Sequence, residues 1–254
     1  MKEEVLCGLH PVGEALRTGH RRIKVIWIND QRSDRRLADL IREAENRRIP
    51  IQRITPKALG EMAGAHHQGV AAQVSPLATD NLDRLCQDLA AGRCIPWVLI
   101  LDGIVDPQNL GALVRTAVCA GMGAVLVPRD RAAQPSPAVS RASAGALEHV
   151  RLVVVTNLAT ALDRLKETGM WICGLDRAQS RSVFESDLSG SLGIVVGAEG
   201  KGIRPLVRRQ CDFLAAVPQS GPIDSLNASA AGAVAIYESW RQRNAKADHP
   251  RKTP

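Results

Sequence analysis

Residues 193–238 read GIVVGAEGKGIRPLVRRQCDFLAAVPQSGPIDSLNASAAGAVAIYE and decide the fold of the second half of the chain. The stretch begins with an apolar run at 194–196, typical of a short buried strand, and then breaks into a glycine-rich loop at 197–202. A second apolar run, 213–217, leads through a turn to residues 224–227, which are predicted to open a helix of small residues. Two strand ends therefore each continue into a polar loop, and ligands bind at such ends in parallel α/β sheets.

The glycine-rich loop at 197–202 matches neither common nucleotide-binding pattern. An earlier glycine of the phosphate-binding P-loop is missing, and Gly202 stands where that pattern has Ser or Thr. The dinucleotide-binding pattern is absent as well. An ordinary turn remains an alternative, because glycine tolerates positive φ. Glu199 makes an ordinary turn a less satisfactory explanation, since a carboxylate within a loop of exposed amides is either solvated or directed at a partner.

Length and composition limit the class of protein. The chain has 254 residues, 45% of them hydrophobic, which is enough for one large or two modest domains with a buried core. It contains no uninterrupted apolar run of about 18 residues and no signal-peptide pattern, so we expect a cytoplasmic protein without a membrane segment. The six cysteines form no CxxC pair, which argues against a zinc site and a disulfide framework. We therefore expect reduced thiols and no metal.

The positive charge is concentrated at the two ends of the chain. The net charge is +7, with 13 Lys/Arg against 9 Asp/Glu in residues 1–76, 15 against 16 in 77–240, and 5 against 1 in 241–254. This distribution suggests a polyanionic partner such as RNA, although solubility alone is the alternative. Aromatic residues make up only 3%, so contacts to phosphate and sugar are favoured over base stacking.

The first 76 residues predict a small α/β module. Helices are expected at 6–16 and from the cap Ser33-Asp34 to about residue 48. Strands are expected at 23–28, 50–54 and 69–74. His66 and His67 invite a metal interpretation, but adjacent side chains on an extended chain point to opposite faces. A turn that contacts RNA, or a merely polar turn, is favoured there.

The second half predicts a parallel sheet with helices on both faces, because apolar runs alternate with helical patterns. The predicted strands are 98–101, 124–127, 152–155, 171–174, 194–196 and 213–217. Asp106 followed by Pro107 is a helix-start signature. On one continuous helix, Asn109 and Arg115 would be separated by roughly 120° around the axis. They can converge only if Asn109 lies at a frayed helix start, and Arg115 could equally be a surface arginine in a salt bridge.

Three segments resemble the motifs of a known family. DPQNLGALVRTA at 106–117, GIVVGAEGKGI at 193–203 and VPQSGPIDSLNASAAGA at 217–233 look like the three motifs of the SPOUT superfamily of RNA methyltransferases. They match the TrmH/RlmB branch, which makes 2'-O-methylated ribose. GLHPVGEAL at 8–16 and HHQGVAAQV at 66–74 resemble the L30/L7Ae-like substrate-binding module of this branch. The resemblance covers nearly the whole chain.

This resemblance implies an α/β protein with a parallel-sheet SPOUT domain and a C-terminal trefoil knot, preceded by a small L30/L7Ae-like RNA-binding domain. The expected domains are the RNA-binding domain at 1–76, a linker at 77–96, the methyltransferase domain at 97–243 and a basic, disordered tail at 244–254. The implied cofactor is S-adenosylmethionine. The implied assembly is a homodimer whose interface lies beside the knot.

The resemblance also assigns the functional residues. The cofactor contacts would be made by the backbone around Gly197, Val217 and Leu226. The catalytic set would be Asn109, Arg115, Glu199, Ser225 and Asn227. Two positions depart from the common pattern of the branch: Gln219 stands where Met is usual, and Ala228 stands where Val is usual. The first is expected to alter a wall of the cofactor pocket.

The residue types suit methyl transfer to a hydroxyl group. Arg115 is effectively always protonated, so it is a poor base but a good clamp on a phosphate and a stabiliser of developing alkoxide charge. Glu199 could orient Arg115 or handle a proton, and the two asparagines supply amide donors and acceptors. Ser225 could instead cap the following helix.

The function that the resemblance implies is transfer of a methyl group to the ribose 2'-hydroxyl of a guanosine in 23S ribosomal RNA. A tRNA ribose methyltransferase and a ribosomal RNA resistance methyltransferase of the same branch remain alternatives. A catalytically silent RNA-binding assembly factor is the alternative from another class. The complete set of Asn109, Arg115, Glu199 and Asn227 counts against the silent factor.

Overall fold

The computed structural model of the chain describes residues 3–64, 67–179, 181–222 and 225–248. Parts of the segments considered above lie outside these ranges, namely His66, residues 223–224 and the end of the predicted tail at 249–254. The chain divides into two compact units, of which the first comprises residues 1–78 with 135–149 and the second residues 79–134 with 150–254. The domain boundaries expected from the sequence, including the linker, stay a prediction.

The secondary structure alternates between strands and helices along the whole chain. The strands are β1 Glu4–Cys7, β2 Ile23–Asn29, β3 Ile51–Ile54, β4 Val70–Val74, β5 Trp97–Asp102, β6 Ala124–Pro128, β7 Leu152–Val155, β8 Trp171–Leu175, β9 Leu192–Gly197 and β10 Phe213–Ala215. The α-helices are α1 Leu9–Thr18, α2 Arg35–Asn46, α3 Pro56–Ala63, α4 Leu82–Ala90, α5 Pro107–Ala120, α6 Pro137–Ala142, α7 Leu158–Lys166, α8 Pro205–Gln210 and α9 Ala228–Asp248.

The first unit is built on a mixed four-stranded sheet in the order β1-β4-β2-β3. Strands β1 and β2 run antiparallel to β4, and β3 runs parallel to β2. One face of this sheet packs against apolar residues of α1 and α2, including Val12, Leu16, Leu37 and Leu40. The predicted cap of α2 is confirmed, since the Asp34 side chain accepts a hydrogen bond from the amide of Leu37 at 3.1 Å.

Strand β1 corrects the predicted helix at 6–16. Leu6 and Cys7 belong to β1, and α1 begins only at Leu9. Gly8 separates the two elements with φ of +103°, a conformation that side-chain-bearing residues rarely adopt. The apolar residues before Gly8 therefore pair with β4 and do not continue the helical pattern.

Residues 135–149 return to the first unit after the chain has already entered the second. Their helix α6 is followed by a short 3₁₀ helix, Ala146–Glu148. Glu148 is buried, and its Oε2 accepts a hydrogen bond from Nε of the buried Arg21 at 2.8 Å. Burial raises the pKa of Glu148, while the attraction of Arg21 and a hydrogen bond from Ser140 oppose that rise. This ion pair joins residues 135–149 to the start of β2.

The second unit contains the predicted parallel sheet, in the order β10-β8-β9-β5-β6-β7. All six strands expected from the apolar runs are present, and every residue of β5 and β9 is buried. Helices α4 and α7 bury Leu85, Leu89 and Leu162 against one face of the sheet. Helices α5 and α9 pack against each other and α9 against β9. The α/β class with a parallel sheet is confirmed.

A close backbone crossing follows β9. A Cβ atom on Gly197 would lie 2.2 Å from the carbonyl carbon of Gly202 and 2.3 Å from the amide nitrogen of Ile203. The chain that leaves β9 thus turns back and passes directly over the end of the strand. The family resemblance implies a C-terminal trefoil knot in the same domain. Only glycine at 197 leaves room for the crossing.

Replacing Gly197 with alanine should lower the free energy of unfolding by about 3 kcal/mol or more, because the added methyl group meets backbone atoms that no rotamer change can move. For a unit of this size the melting temperature should fall by about 10 °C. Thermal unfolding followed by circular dichroism measures the change.

Gly221→Ala is the matched control, because a Cβ there meets nothing within 4 Å and the glycine lacks a positive φ. This variant should melt close to the wild type. Equal melting temperatures for the two variants would show that the crossing over Gly197 is not tight.

Helix α9 includes residues 244–248, which the sequence interpretation assigned to a disordered tail. Gly232 lets it approach α5 closely, since a Cβ there would lie 2.4 Å from Leu113 Cδ2. Near its end the Arg243 guanidinium lies 4.6 Å from the centre of the buried Trp97 ring. Within the four described ranges, none of the helices combines the length and apolar character needed to cross a membrane.

Candidate active site

A cleft of about 910 Å³ opens at the carboxyl ends of β8 and β9. The three predicted cofactor-contacting residues, Gly197, Val217 and Leu226, all line it. Glu199 and Ser225 of the predicted catalytic set line it as well. Residues from the two polar loops identified in the sequence are thus brought together around one cavity.

Three predicted catalytic side chains form a hydrogen-bonded cluster. Asn109 Nδ2 donates to Glu199 Oε1 at 2.8 Å. Asn227 Nδ2 donates to Asn109 Oδ1 at 2.9 Å and to Glu199 Oε1 at 2.5 Å. Since these residues are widely separated in the sequence, the cluster ties together the start of α5, the loop after β9 and the start of α9.

Both asparagines lie at the starts of helices. Asn109 is 7% exposed and lies in the first turn of α5, where Asp106 Oδ1 accepts the amide of Gln108 at 3.0 Å. Pro107 occupies the first helical position, so the predicted start of this helix is confirmed. Asn227 caps α9, because its Oδ1 accepts the amide of Ser229 at 2.8 Å. Its Nδ2 is thereby turned toward the cluster.

Residue 227 must be an amide for the cluster to form. The Asn227 side chain accepts from the helix through its oxygen and donates to two partners through its nitrogen. An aspartate could accept but not donate, so only an amide serves both purposes at this position. Glu199 Oε1 receives both amide donors, and among the described residues no hydrogen bond is assigned to its Oε2. This second oxygen remains available as an acceptor beside the cleft.

Arg115 does not join this cluster. Helix α5 is continuous from Pro107 to Ala120, so Asn109 is part of the helix and not of a frayed start. The two side chains consequently diverge: Asn109 is buried, whereas Arg115 is exposed. In the described part of the chain, Arg115 has neither an ion pair nor a side-chain hydrogen bond. The frayed helix start that convergence of Asn109 and Arg115 requires is therefore absent, and the catalytic role of Arg115 stays a prediction.

Ser225 is exposed and lines the cleft, but the residue that caps α9 is Asn227. The capping role considered for Ser225 thus belongs to its neighbour. Gln219, which departs from the family pattern, also lines the cleft, while Ala228 is buried at the first turn of α9. No group of three or more His, Cys, Asp or Glu side chains within the described ranges is arranged to hold a metal ion.

A buried carboxylate that the sequence interpretation did not single out fixes the loop after β9. Asp102, fully buried at the end of β5, accepts the amide of Arg204 at 2.7 Å and its Nε at 2.6 Å. The sequence feature that could have identified Asp102 is its position directly after the apolar run at 97–101. A second ion pair, between Asp176 and Arg208 at 2.7 Å, lies at the cleft wall. Both pairs hold segments that surround the cavity.

Comparison with family models divides the chain in two. Residues 96–237 match the SpoU rRNA Methylase family. Residues 5–79 match the family described as RNA 2'-O ribose methyltransferase substrate binding. The first match contains the cleft and the hydrogen-bonded cluster.

Curated relatives are similar over almost the entire chain. A protein of Pseudomonas putida named 23S rRNA (guanosine-2'-O-)-methyltransferase RlmB is 40% identical over 243 residues, which cover 96% of this chain and 98% of the relative. A protein of Vibrio cholerae with the same name is 41% identical over 246 residues, covering 96% and 99%.

Solved structures share the fold. The SpoU methyltransferase AviRb from Streptomyces viridochromogenes, determined in complex with AdoMet, matches with a TM-score of 0.79 and 24% identity. The match covers 96% of this chain and 91% of that chain. At this level of identity the likeness supports the architecture.

Proposed function

The chain belongs to the SpoU rRNA methylase family, and from this membership we propose that it transfers a methyl group from S-adenosylmethionine to the ribose 2'-hydroxyl of a guanosine in 23S rRNA. Relatives about 40% identical over nearly the full chain carry that activity in their names. The observation that carries the proposal is the cluster of Asn109, Glu199 and Asn227 beside the cleft.

The cleft suits S-adenosylmethionine. Its volume of about 910 Å³ lies at the upper end of the range of small-molecule sites. Gly197 presents backbone without a side chain, while Val217 and Leu226 offer apolar surface, so we assign the cofactor contacts to these three residues. S-adenosylmethionine bound there supplies an electrophilic methyl group carried on a sulfonium sulfur. The task left to the protein is to orient the ribose hydroxyl and to handle its proton.

The proposed catalytic set divides this task. Arg115 binds an RNA phosphate and stabilises negative charge that develops on the ribose oxygen, which its exposure and permanent charge permit. Glu199 presents its second carboxylate oxygen as an acceptor, and Asn109 and Asn227 hold that carboxylate in place. Ser225, at the cleft wall, offers a hydroxyl group to the substrate.

We also propose that the protein acts as a homodimer in the cytoplasm, where its ribosomal RNA substrate is found. The exposed aromatic residues Tyr237 and Trp240 on α9, with ring centres 6.3 Å apart, support an interface on this helix.

Methyl transfer to separated RNA classes tests the proposed function. Purified protein is incubated with radiolabelled S-adenosylmethionine and with 23S rRNA, 16S rRNA or tRNA from a strain that lacks the enzyme. Label should appear in 23S rRNA alone. Preferential labelling of tRNA would show that tRNA, and not 23S rRNA, is the substrate. Binding of RNA without any transfer would favour a catalytically silent assembly factor.

A further inference from the structure

Three segments of the first unit meet at one edge of its sheet, where β2 and β3 end. The amide of Asn29 donates to the carbonyl of Gly69 at 2.9 Å, and the amide of Asp30 donates to the carbonyl of Ile54 at 3.0 Å. The end of β2, the end of β3 and the turn before β4 are thereby held side by side, and the chain that leaves β2 there enters α2 at Arg35. We call the cations that these segments carry the basic edge: Arg32, Arg35, Arg36, Arg53 and Lys57.

Most of the basic edge lacks compensating charge. Arg35, Arg36, Arg53 and Lys57 are exposed, and the described residues provide no ion pair for any of them. Arg32 is paired with Asp34 at 2.5 Å. Elsewhere in the same unit, the exposed Arg17, Arg42 and Arg47 each pair with a carboxylate three or four residues earlier. Arg22 and Arg48 are exposed without such a pair among the described residues.

The stability of α2 does not explain the two arginines at its start. Its first turn contains no acidic residue, although acidic residues are favoured there and cations are disfavoured by the helix dipole. Arg35 and Arg36 oppose that dipole and are repelled by each other. Their positions are therefore better explained by binding than by folding.

The chemistry of the basic edge fits phosphate groups. Four of its five cations are arginines, whose planar guanidinium groups bind phosphate oxygens in pairs. The segments 29–36 and 53–57 contain no aromatic residue, so they offer no surface on which bases could stack. Contacts to the backbone of a nucleic acid are consequently favoured over recognition of its bases.

We propose that the basic edge binds the phosphate backbone of the RNA substrate and that the first unit holds the RNA through it. This inference rests on the proposed function for the identity of the polyanion. Beyond that function, it names the surface of the first unit that binds the RNA, the residues that form this surface and their contacts to phosphate groups.

The test compares two double variants of the full-length protein with equal loss of charge. Arg35→Gln with Arg36→Gln neutralises the basic edge. Arg22→Gln with Arg48→Gln removes two exposed cations that lie before β2 and beyond the end of α2, at the opposite ends of the same elements. Binding of purified 23S rRNA is measured by filter retention over a range of salt concentrations.

The basic-edge variant should bind 23S rRNA about 10- to 50-fold more weakly at 0.1 M salt, and the salt slope of its affinity should fall by about 1.5, as expected for two lost phosphate contacts. The control variant should stay within about threefold of the wild type. Equal weakening of both variants, or an unchanged salt slope for the first, would overturn the proposal. Equal melting temperatures exclude misfolding as the cause.

This experiment separates the basic edge from the proposed function. If the wild type binds RNA and the two variants differ as expected while no RNA accepts a methyl group, the proposed function fails and the basic edge stands. If methyl transfer occurs and both variants bind alike, the function stands and the basic edge fails.

Discussion

Arg115→Ala is expected to lower the rate of methyl transfer by about 10²- to 10³-fold, the usual cost of removing one charge-stabilising donor. Affinity for S-adenosylmethionine should stay within about threefold of the wild type. The physical reason is that Arg115 is exposed and is not among the residues that line the cleft. Its loss should remove a contact to the RNA without disturbing the cofactor contacts. Single-turnover transfer and calorimetric titration measure the two quantities separately.

Two further variants sharpen this result. Arg84→Ala removes another exposed arginine, from α4, and should leave transfer close to the wild type. Arg115→Lys keeps the charge but loses the planar fork, so it should recover only part of the rate. If Arg115→Ala weakened cofactor binding as much as transfer, or matched Arg84→Ala in rate, the role given to Arg115 would be wrong.

Glu199→Ala is expected to reduce the rate constant at saturating substrates by about 10²- to 10³-fold. Both amide donors of the cluster, on Asn109 and Asn227, would lose their shared acceptor. Because Asn109 is buried, leaving its amide unpaired costs about 1–3 kcal/mol and loosens the start of α5 against the cleft. Steady-state kinetics with varied RNA and varied S-adenosylmethionine provide the rate constant.

Glu199→Gln separates the charge of this side chain from its hydrogen bonds. The amide oxygen can still accept from both asparagines, so the melting temperature should be retained while the rate falls. Glu167→Ala, which removes a carboxylate that is 72% exposed, is the matched control and should have full activity. A rate for Glu199→Ala within about twofold of the wild type would show that the cluster serves folding alone.

Much of the second unit could be predicted because its strands are continuous apolar runs. A parallel strand buried on both faces reads as a nearly continuous apolar run, and β5 and β9 match that pattern except for Asp102 at the end of β5. The start of α5 could also be predicted, since Asp106 caps the helix and Pro107 occupies its first position. Local chemistry of this kind depends on neighbouring residues and needs no knowledge of the fold.

Features that depend on distant contacts were not predictable in this way. The excursion at 135–149 contributes to the first unit through the buried pair of Arg21 and Glu148, which are 127 residues apart. From the sequence, Gly197 could be explained as part of a turn. The structure shows that glycine is required there because the backbone of Gly202 and Ile203 crosses over it. The cluster around Glu199 was expected only from the family resemblance, because periodicity does not reveal which loops meet.

The orientation of Arg115 is the main point at which the structure corrects the sequence interpretation. Asn109 and Arg115 were expected to converge only at a frayed helix start, and the continuous helix α5 leaves Asn109 buried and Arg115 exposed. The proposed role of Arg115 therefore depends on RNA reaching both the exposed face of α5 and the cleft. Its variant tests this requirement directly.

Nucleoside mass spectrometry tests the central claim most directly. 23S rRNA from a strain that lacks the enzyme is incubated with the purified protein and S-adenosylmethionine carrying an isotopically labelled methyl group, and is then digested completely to nucleosides. We expect the labelled methyl group in 2'-O-methylguanosine, and RNA treated with Glu199→Ala should contain almost none. Label on a base, label on the ribose of another nucleoside, or equal labelling by the variant would contradict it.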